Sequence, residues 1–415
     1  MSKTPLAEIN PFAPETLACP YDFNRQLREE APVYHCPQTD VYFVSTFDLV
    51  VSVVKNNSAF SNKFSLAATG SEEKKSDPEL DAIRRQGYPP VNTMLTQDLP
   101  KQRRYRSLCQ KPFSVKNVSK LQSFISDLAN EIIDEFIDDG ACNWMDAFAV
   151  PLPVRMIGYV LGVPLGDMNR FKKWSDSSVY QFSAGQTRQG TLDAAQDVVD
   201  FQHYFAEKIR ERQHQPTNDV LSDIVNSIAD GEKPMDVPEC LSVISQLLVA
   251  GNETTTATLA EGLYLLIQNP DQLALVQKDM SLIPNMVEEM LRLSSPSAQM
   301  WRICTQDTQV ADTLIPKGAR VMVKWISANR DEMQFVTGDK FDVTRPNAKK
   351  QIAFGQGIHH CPGAPLARQE LVISFEAILS RMTNFRLPEG QTELAFLPNL
   401  LLHGPADLNI EFDKK

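Results

Sequence analysis

The stretch Phe354-Gly355-Gln356-Gly357-Ile358-His359-His360-Cys361-Pro362-Gly363 decides how this sequence is interpreted. Its two closely spaced glycines permit backbone angles that other residues resist, so they predict a tight loop. The following residues, Ala364 to Ser374, contain no helix breaker except Pro365, which the first turn of a helix tolerates. Cys361 is therefore predicted to stand just before a helix N-terminus, where partial positive charge favours a thiolate. Such a loop is suited to presenting one anionic sulfur to a metal.

Less specific interpretations apply to each part of this stretch alone. An isolated cysteine is usually a small buried apolar residue. His359, His360 and Cys361 could suggest zinc, but adjacent side chains rarely converge on one tetrahedral ion, and the sequence offers no second ligand pair. A glycine pair could form an ordinary loop. The complete ten-residue arrangement is much more specific than any of its parts.

Composition limits the class of protein. The 415 residues are 42% hydrophobic and 22% charged, which argues against global disorder. Lys and Arg number 41 against 52 for Asp and Glu, a net charge of −11 that argues against nucleic-acid or anionic-membrane binding. No apolar run approaches the length of a membrane span, Met1 to Pro5 lacks the pattern of a secretion signal, and seven scattered cysteines argue against a disulfide framework. We expect a cytoplasmic protein that binds neither nucleic acid nor membrane.

Helical periodicity dominates the middle of the chain. Apolar residues at three- and four-residue spacing from Leu121 to Phe136 predict a helix that Gly140 stops. Val198 to Arg212 is a second candidate, and Glu239 to Gln268, between two prolines, predicts an unusually long third helix.

Strand signals are few, so the fold class is mainly α with a small β portion. Val41 to Val44 and Arg320 to Val323 are predicted strands, and the turn Pro316 to Ala319 predicts a hairpin that pairs the latter with Thr308 to Ile315. The polar stretch Gly70 to Pro78 predicts an exposed loop.

The long predicted helix carries an unusual interior, Ala250-Gly251-Asn252-Glu253-Thr254-Thr255. Glycine inside a helix costs about 1 kcal/mol, which suggests that a bulky neighbour needs the space. An acid beside a hydroxyl is suited to proton transfer. The alternative is an ordinary polar face of an amphipathic helix.

The pattern Phe354-Gly355-x-Gly357-x-His359-x-Cys361-x-Gly363 resembles the haem-ligand signature of the cytochrome P-450 family, the haem-thiolate monooxygenases. The resemblance implies heme b (iron-protoporphyrin IX), with Cys361 as the metal ligand and His359 bound to a haem propionate. A thiolate there donates electron density to iron and favours O–O cleavage. Phe354, Gly355 and Gly363 complete the cofactor-binding loop.

Further segments match the family in order. Ala250 to Thr255 resembles its Ala-Gly-x-(Asp/Glu)-Thr-Thr pattern, which implies that Glu253 and Thr254 are catalytic in oxygen activation. Ala250 and Gly251 would then form the surface of the pocket that faces the iron.

Asp98 to Arg106 resembles the segment that opens a helix beside the haem, and Gln102 and Arg106 share one face of it. Arg106 and Arg302 match propionate-binding arginines of the family. Many bacterial members have His where this chain has Gln102, a departure that concerns this one contact.

Glu289 and Arg292 resemble the Glu-x-x-Arg element of the family, with Arg345 as the implied third member. Alone, such a pair would be an exposed ion pair of small value. We assign these three residues to folding and haem retention.

The implied substrate pocket includes Leu247, Leu248, Ala298 and Leu400, mostly apolar or small residues that predict a hydrophobic small-molecule substrate. An excess of positive charge is predicted to form a docking patch for an acidic electron donor; its members are Lys101, Arg103, Arg104, Lys111 and Arg368.

The resemblance implies the cytochrome P-450 fold: residues 20–415 form a single large helical domain with a small β-rich lobe, after an N-terminal extension at 1–19. It implies insertion of one oxygen atom from O2 into the substrate, with electrons from NAD(P)H through a reductase and a ferredoxin. A peroxide-driven haem-thiolate oxygenase and a non-catalytic haem or ligand sensor remain alternatives.

Overall fold

The computed structural model describes residues 4–63, 77–228, 233–391 and 393–415. It is mostly helical, as the sequence predicts, with three small sheets. Among the described residues, no helix combines the length and apolar character that crossing a bilayer requires. The part of the predicted polar loop at 70–76 and residues 1–3 of the predicted N-terminal extension lie outside the described residues.

The α-helices of the described residues are α1 Pro14–Ala18, α2 Tyr21–Glu30, α3 Phe47–Lys55, α4 Pro78–Arg84, α5 Lys101–Cys109, α6 Val115–Val118, α7 Gln122–Asp134, α8 Pro151–Val160, α9 Met168–Val179, α10 Arg188–His214, α11 Val220–Asn226, α12 Val237–Gln268, α13 Pro270–Lys278, α14 Ile283–Ser294, α15 Trp325–Ala328 and α16 Ala364–Arg381. The strands are β1 Val33–Cys36, β2 Val41–Val44, β3 Phe60–Ser61, β4 Ala141–Asn143, β5 Gln299–Cys304, β6 Thr308–Val310, β7 Thr313–Ile315, β8 Arg320–Lys324, β9 Met382–Arg386 and β10 Asn409–Lys414.

The predicted long helix is confirmed as α12, the central helix of the core. A capping box closes its N-terminus: the Asp236 carboxylate accepts the backbone N–H of Glu239, and the Glu239 carboxylate accepts that of Asp236. Pro238 lies inside the first turn, where it removes no helical hydrogen bond, and the helix ends at Gln268 before Pro270. It packs against α8, α9, α10, α14 and α16.

The other two predicted helices are also present, with different bounds. The periodic run becomes α7, whose buried residues include Ile125, Leu128 and Ile132, but it ends at Asp134, well before Gly140. Val198–Arg212 forms part of the longer α10, and the helix predicted after Cys361 extends to Arg381.

The main sheet has the strand order β1-β2-β8-β5-β3. β2 pairs in parallel with β8, with Val41 opposite Arg320, and β8 pairs antiparallel with β5. Both predicted strands are confirmed. The described part of the predicted N-terminal extension packs on this sheet, since the ring of Phe12 lies 5.8 Å from that of Phe43 and 6.0 Å from that of Trp301.

The predicted hairpin is wrong. Thr308 to Ile315 folds on itself as β6 and β7, with Val310 opposite Thr313, and Ala311 at the turn adopts a positive φ of 48°. β8 instead occupies the interior of the main sheet, where four of its five residues are buried. Burial on both faces favours that position over a short local pairing.

Candidate active site

The Cys361 loop is built from the backbone angles that its glycines allow. Gly355 and Gly357 have φ values of 70° and 73°, in the left-handed region. A Cβ on Gly357 would also lie 3.3 Å from the carbonyl oxygen of Val54. The backbone N–H of Cys361 donates to the Phe354 carbonyl at 2.9 Å, which closes the loop.

The thiol of Cys361 lies just before the N-terminus of α16. Burial raises its pKa, while the backbone N–H groups of Gly363 and Ala364 and the charges of Arg106 and Arg368 lower it. A Cβ on Gly363 would lie 3.8 Å from the sulfur. The donors and cations are therefore arranged to stabilise a thiolate, and the removal of water opposes one until a cation such as a metal balances the charge.

The side chains of Gln102 and Arg106 reach this loop from one face of α5. Gln102 Nε2 donates to the carbonyl of Ile358 at 2.9 Å, and Arg106 Nη1 donates to that of His360 at 2.5 Å. The two predicted cofactor-binding residues thus fasten α5 to the Cys361 loop.

The buried Arg302 and the partly buried His359 have unused hydrogen-bonding capacity. Arg302 is 3% exposed, and its hydrogen bond among the described residues goes to the carbonyl of the adjacent Trp301. Burial lowers its pKa to about 10. The Nδ1 atom of His359 is buried and has no hydrogen-bond partner within the described part of the chain, and burial together with the charge of Arg302 lowers the His359 pKa to about 4. The unused donors of Arg302 and His359 favour binding of an anionic group with several oxygen atoms.

One face of α12, the open face, is accessible to solvent at Ala250. Ala250 is exposed in the middle of the helix, although Leu248 and Asn252 on either side are buried. On the same face, Thr254 Oγ1 donates to the Ala250 carbonyl at 2.7 Å. Ala250 and Thr254 therefore lie on one accessible face of the helix.

Gly251 and Glu253 contact the neighbouring helices α8 and α9. A Cβ on Gly251 would meet Ile157 of α8 at 3.3 Å, so a core side chain occupies the space beside this glycine. Glu253 Oε1 accepts hydrogen bonds from Ser175 of α9 and from Asn252, both at 3.0 Å. Burial raises the Glu253 pKa, with Asp176 adding to this and Lys172 opposing it.

The four predicted substrate-pocket residues divide in two. Leu247 lies three residues before Ala250, on the open face of α12, whereas Leu248 is completely buried in the main core and does not border open space. Ala298 and Leu400 belong to two segments that run side by side, since the Ala298 N–H donates to the carbonyl of Leu401 at 2.9 Å.

Glu289, Arg292 and Arg345 form a buried ion cluster. Arg292 Nε and Nη2 each lie 2.7 Å from a Glu289 oxygen, and Arg345 Nε lies 2.8 Å from Oε1. Glu289 and Arg292 are 0% exposed. The remaining N–H groups of Arg292 and Arg345 donate to the backbone carbonyls of residues 329, 336, 337, 338 and 340. The cluster therefore fixes the irregular segment that precedes the Cys361 loop.

Sequence reasoning missed the contacts of several residues that support the site, and it assigned Arg368 only to the docking patch. Arg368 stacks on Phe354, with its guanidinium 4.5 Å from the ring centroid, and pairs with Glu288 at 2.6 Å. Ser175 and Ile157, which contact Glu253 and Gly251, come from distant helices and gave no signal. Glu288, an acid beside Glu289 on a predicted helix, was the one available hint.

The residues present fit a haem group. An iron porphyrin would provide a cation for the Cys361 sulfur, two carboxylates for Arg302 and His359, and a flat surface for the open face of α12. The fit rests on the unused buried donors and on the exposed Ala250.

Comparisons with known proteins agree with this geometry. Residues 169–411 match the profile of the family described as Cytochrome P450. The chain is 31% identical over 396 residues to 6-deoxyerythronolide B hydroxylase of Saccharopolyspora erythraea, covering 94% of this chain and 95% of the relative. It is 32% identical over 410 residues to Steroid C26-monooxygenase of Mycobacterium tuberculosis, covering 98% and 96%.

The fold is similar to that of the solved structure of cytochrome P450 CYP109Q5 from Chondromyces apiculatus, with a TM-score of 0.85 and 32% identity over 99% of this chain and 100% of that one. Proteins of this family bind heme b. The chain therefore belongs to the cytochrome P450 family and is a haem-thiolate monooxygenase.

Proposed function

We propose that this protein inserts one oxygen atom from O2 into a C–H bond of a hydrophobic small molecule, while the other oxygen leaves as water. The names of two relatives, a 6-deoxyerythronolide B hydroxylase and a steroid C26-monooxygenase, support hydroxylation of a largely apolar substrate. The observation that carries the proposal is the Cys361 sulfur just before the N-terminus of α16, where the charges of Arg106 and Arg368 favour a thiolate, combined with the open face of α12.

In this proposal Cys361 would supply the thiolate ligand of the iron, and Arg106, Arg302 and His359 would hold the two propionates. Phe354, Gly355 and Gly363 shape the loop around the sulfur, and Gln102 positions it through the Ile358 carbonyl. The bound haem supplies the oxygen-activating chemistry. The role of the protein is to keep water away from the thiolate, so that the thiolate donates its electron density to the metal rather than to water.

Glu253 and Thr254 are proposed to deliver protons. Thr254 Oγ1 lies on the open face of α12 and can transfer a proton there once it receives another from solvent or Glu253. The raised pKa of Glu253, caused by burial, makes its carboxyl a better proton carrier near neutral pH. Delivery requires the carboxyl to leave Ser175 and Asn252 and rotate toward Thr254.

Electrons are proposed to come from NAD(P)H through a reductase and a ferredoxin that docks on the basic patch. Lys101, Arg103 and Lys111 are exposed and form no ion pair within the described part of the chain. Each therefore has its full charge available to an acidic partner.

The other two predicted members contribute less. Arg104 pairs with Glu239 at 2.8 Å, and Arg368 pairs with Glu288 at 2.6 Å. Because a paired charge produces a weaker field, the patch is proposed to consist mainly of Lys101, Arg103 and Lys111.

Charge reversal tests the docking patch. The double variant Lys101→Glu/Arg103→Glu is expected to slow reduction by a ferredoxin at low salt, with a smaller difference at high salt. Lys278→Glu on α13, which reverses another exposed lysine, is the control. Equal reduction rates for the double variant and the wild type at low salt would remove the patch from the proposal.

Two measurements test the function itself. Reduced protein under carbon monoxide should show the strongly red-shifted Soret band of thiolate ligation, and Cys361→Ser should lose it, whereas Cys19→Ala, which changes an exposed cysteine, should keep it.

Ligands that shift the ferric spin state are then incubated with NADPH, a reductase and a ferredoxin, or with peroxide alone. Turnover with peroxide alone would favour the peroxygenase, and ligand binding without product under both conditions would favour the sensor.

A further inference from the structure

Lys324 is a buried lysine on the sheet face opposite Arg302. In the β5–β8 pairing, Gln299 lies opposite Lys324 and Trp301 opposite Met322. Side chains alternate along a strand, so these four point to one face, and Arg302 points to the other. Trp301 and Met322 belong to the hydrophobic cluster beneath the N-terminal segment. Lys324 therefore lies behind the strand that carries the predicted haem and substrate contacts.

The surroundings of Lys324 are costly for an ammonium group. It is 3% exposed, and its Nζ lies 5.2 Å and 5.5 Å from the ring centroids of Phe23 and Phe43. It forms no ion pair within the described residues, and burial lowers its pKa to about 7. A buried amine without a carboxylate destabilises the fold relative to an apolar side chain. The two ring contacts offset part of this cost, and Nζ also donates a hydrogen bond to a neighbouring amide.

The hydrogen bond of Lys324 fixes the orientation of an amide. Nζ donates to Gln299 Oε1 at 2.8 Å, and Gln299 Nε2 donates to the carbonyl of Leu400 at 2.6 Å. Because the Leu400 carbonyl can only accept, the amide nitrogen must face it, and the amide oxygen is left to accept from Lys324. This relay, in which Lys324 donates to Gln299 and Gln299 donates to the Leu400 carbonyl, connects β8, β5 and the segment around Leu400.

The two segments joined by this relay carry predicted pocket residues. Ala298 precedes Gln299, and its N–H donates to the Leu401 carbonyl at 2.9 Å. The cavity between Lys324, Ala298 and Leu402 holds about 10 Å³, enough for little more than one water. A substrate group cannot enter it, so Lys324 must act through Gln299.

We propose that Lys324 is a positioning residue that sets, through Gln299, the distance of the Leu400 segment from Ala298 and thereby the shape of the substrate pocket. This inference rests on the proposed function, in which both segments border the substrate. According to this inference, Lys324 affects which ligands the pocket accepts although it contacts none of them. Bulky ligands depend on this wall, and small ligands at the haem do not.

Lys324→Met tests the inference, because methionine matches the length of the lysine stem, suits the apolar surroundings and removes the donor. The probes are imidazole and 4-phenylimidazole, titrated into the haem-loaded protein by their absorbance change. We expect the Kd ratio of the bulky to the small probe to change about fivefold, the factor that corresponds to the net value of about 1 kcal/mol of one hydrogen bond. Lys317→Met, at an exposed lysine just before β8, should leave the ratio unchanged.

Gln299→Glu provides a second, independent variant. Its carboxylate still accepts from Lys324 but cannot donate to the Leu400 carbonyl, so the ratio should also change. An unchanged ratio in both folded variants, even with a lower melting temperature, would overturn the inference and leave Lys324 a purely structural residue. If neither variant folds with bound haem, Lys324 and Gln299 serve folding rather than the shape of the pocket, and the inference is also overturned. Failure of the proposed function would appear separately, as the missing thiolate Soret band in the wild type.

Discussion

Gln202 and Tyr88 are joined by two hydrogen bonds between the side-chain amide of one and the backbone of the other. The Tyr88 N–H donates to Gln202 Oε1 at 2.8 Å, and Gln202 Nε2 donates to the Tyr88 carbonyl at 3.2 Å. The Tyr88 hydroxyl accepts from Arg210 at 2.7 Å, and a Cβ on Gly87 would lie only 2.1 Å from the Gln202 amide oxygen. The amide thus holds the loop after α4 against α10, as a neighbouring strand would.

Gln202→Leu is expected to release this loop. The substitution keeps most of the volume and removes both hydrogen bonds, so the Tyr88 amide should exchange with solvent roughly tenfold faster. Hydrogen exchange followed by mass spectrometry over residues 86–91 measures this. Gln189→Leu alters another glutamine of α10, which bonds to Asp193, and should leave the loop unaffected. Unchanged exchange in Gln202→Leu would show that the loop is held by other contacts.

Glu289→Gln is expected to abolish most haem-loaded protein. The substitution leaves Arg292 and Arg345 buried beside each other without a carboxylate, a change that typically costs about 3–5 kcal/mol. Haem absorbance per milligram of purified protein measures the outcome. Glu135→Gln, which breaks an exposed pair with Arg155, should be close to neutral. A normal haem content in Glu289→Gln would contradict the structural role.

Thr254→Ala is expected to keep haem and lose coupling. The hydroxyl is removed from the open face of α12, while its hydrogen bond to the Ala250 carbonyl is local to the helix. With a ligand that shifts the spin state, oxygenated product per NADPH should fall by roughly tenfold or more, and hydrogen peroxide should rise. Thr258→Ala, one turn further along α12, is the control because its hydroxyl is bound to the Thr254 carbonyl. Equal coupling in Thr254→Ala and wild type would refute the proton-delivery role.

Glu370→Gln is expected to change how stability depends on pH. Burial raises the Glu370 pKa from 4.5 to about 8, and its Oε2 atom has no hydrogen-bond partner among the described residues. Above pH 4.5 the Glu370 carboxyl keeps its proton in the folded protein, whereas the unfolded chain releases it. The contribution of this carboxyl to the stability of the fold is therefore complete below pH 4.5 and is lost as the pH rises through about 8.

The amide that replaces the Glu370 carboxyl does not titrate, so the melting temperature of the Glu370→Gln variant should fall less steeply from pH 5 to pH 9 and exceed that of the wild type by several degrees at pH 9. Glu376→Gln, at an exposed position of the same helix, is the control. Parallel curves for Glu370→Gln and wild type would show that Glu370 finds a partner in solution.

The sequence predicted best what is encoded locally. The glycine angles and the helix after Cys361 follow from neighbouring residues, and the ends of α12 follow from Asp236, Glu239 and the flanking prolines. The contact between Glu289 and Arg345 was available only through the family resemblance, because no periodicity connects residues so far apart.

Contacts between distant elements escaped prediction. The side of α12 that Gly251 presents to Ile157, and the hydrogen bond from Ser175 to Glu253, depend on how α8 and α9 cross it. The hairpin prediction failed for the same reason: nothing near Arg320 indicates that its strand pairs with β2 and β5.

The parallel pairing of β2 with β8 also constrains the order of events during synthesis. The β1–β2 hairpin leaves the ribosome early, but the strand that covers its inner edge is translated only after α12 and α14. Until then that edge presents unpaired N–H and C=O groups, which attract other extended chains. Cys361 is translated later still, so a nascent chain must shield an incomplete sheet before it can acquire its prosthetic group.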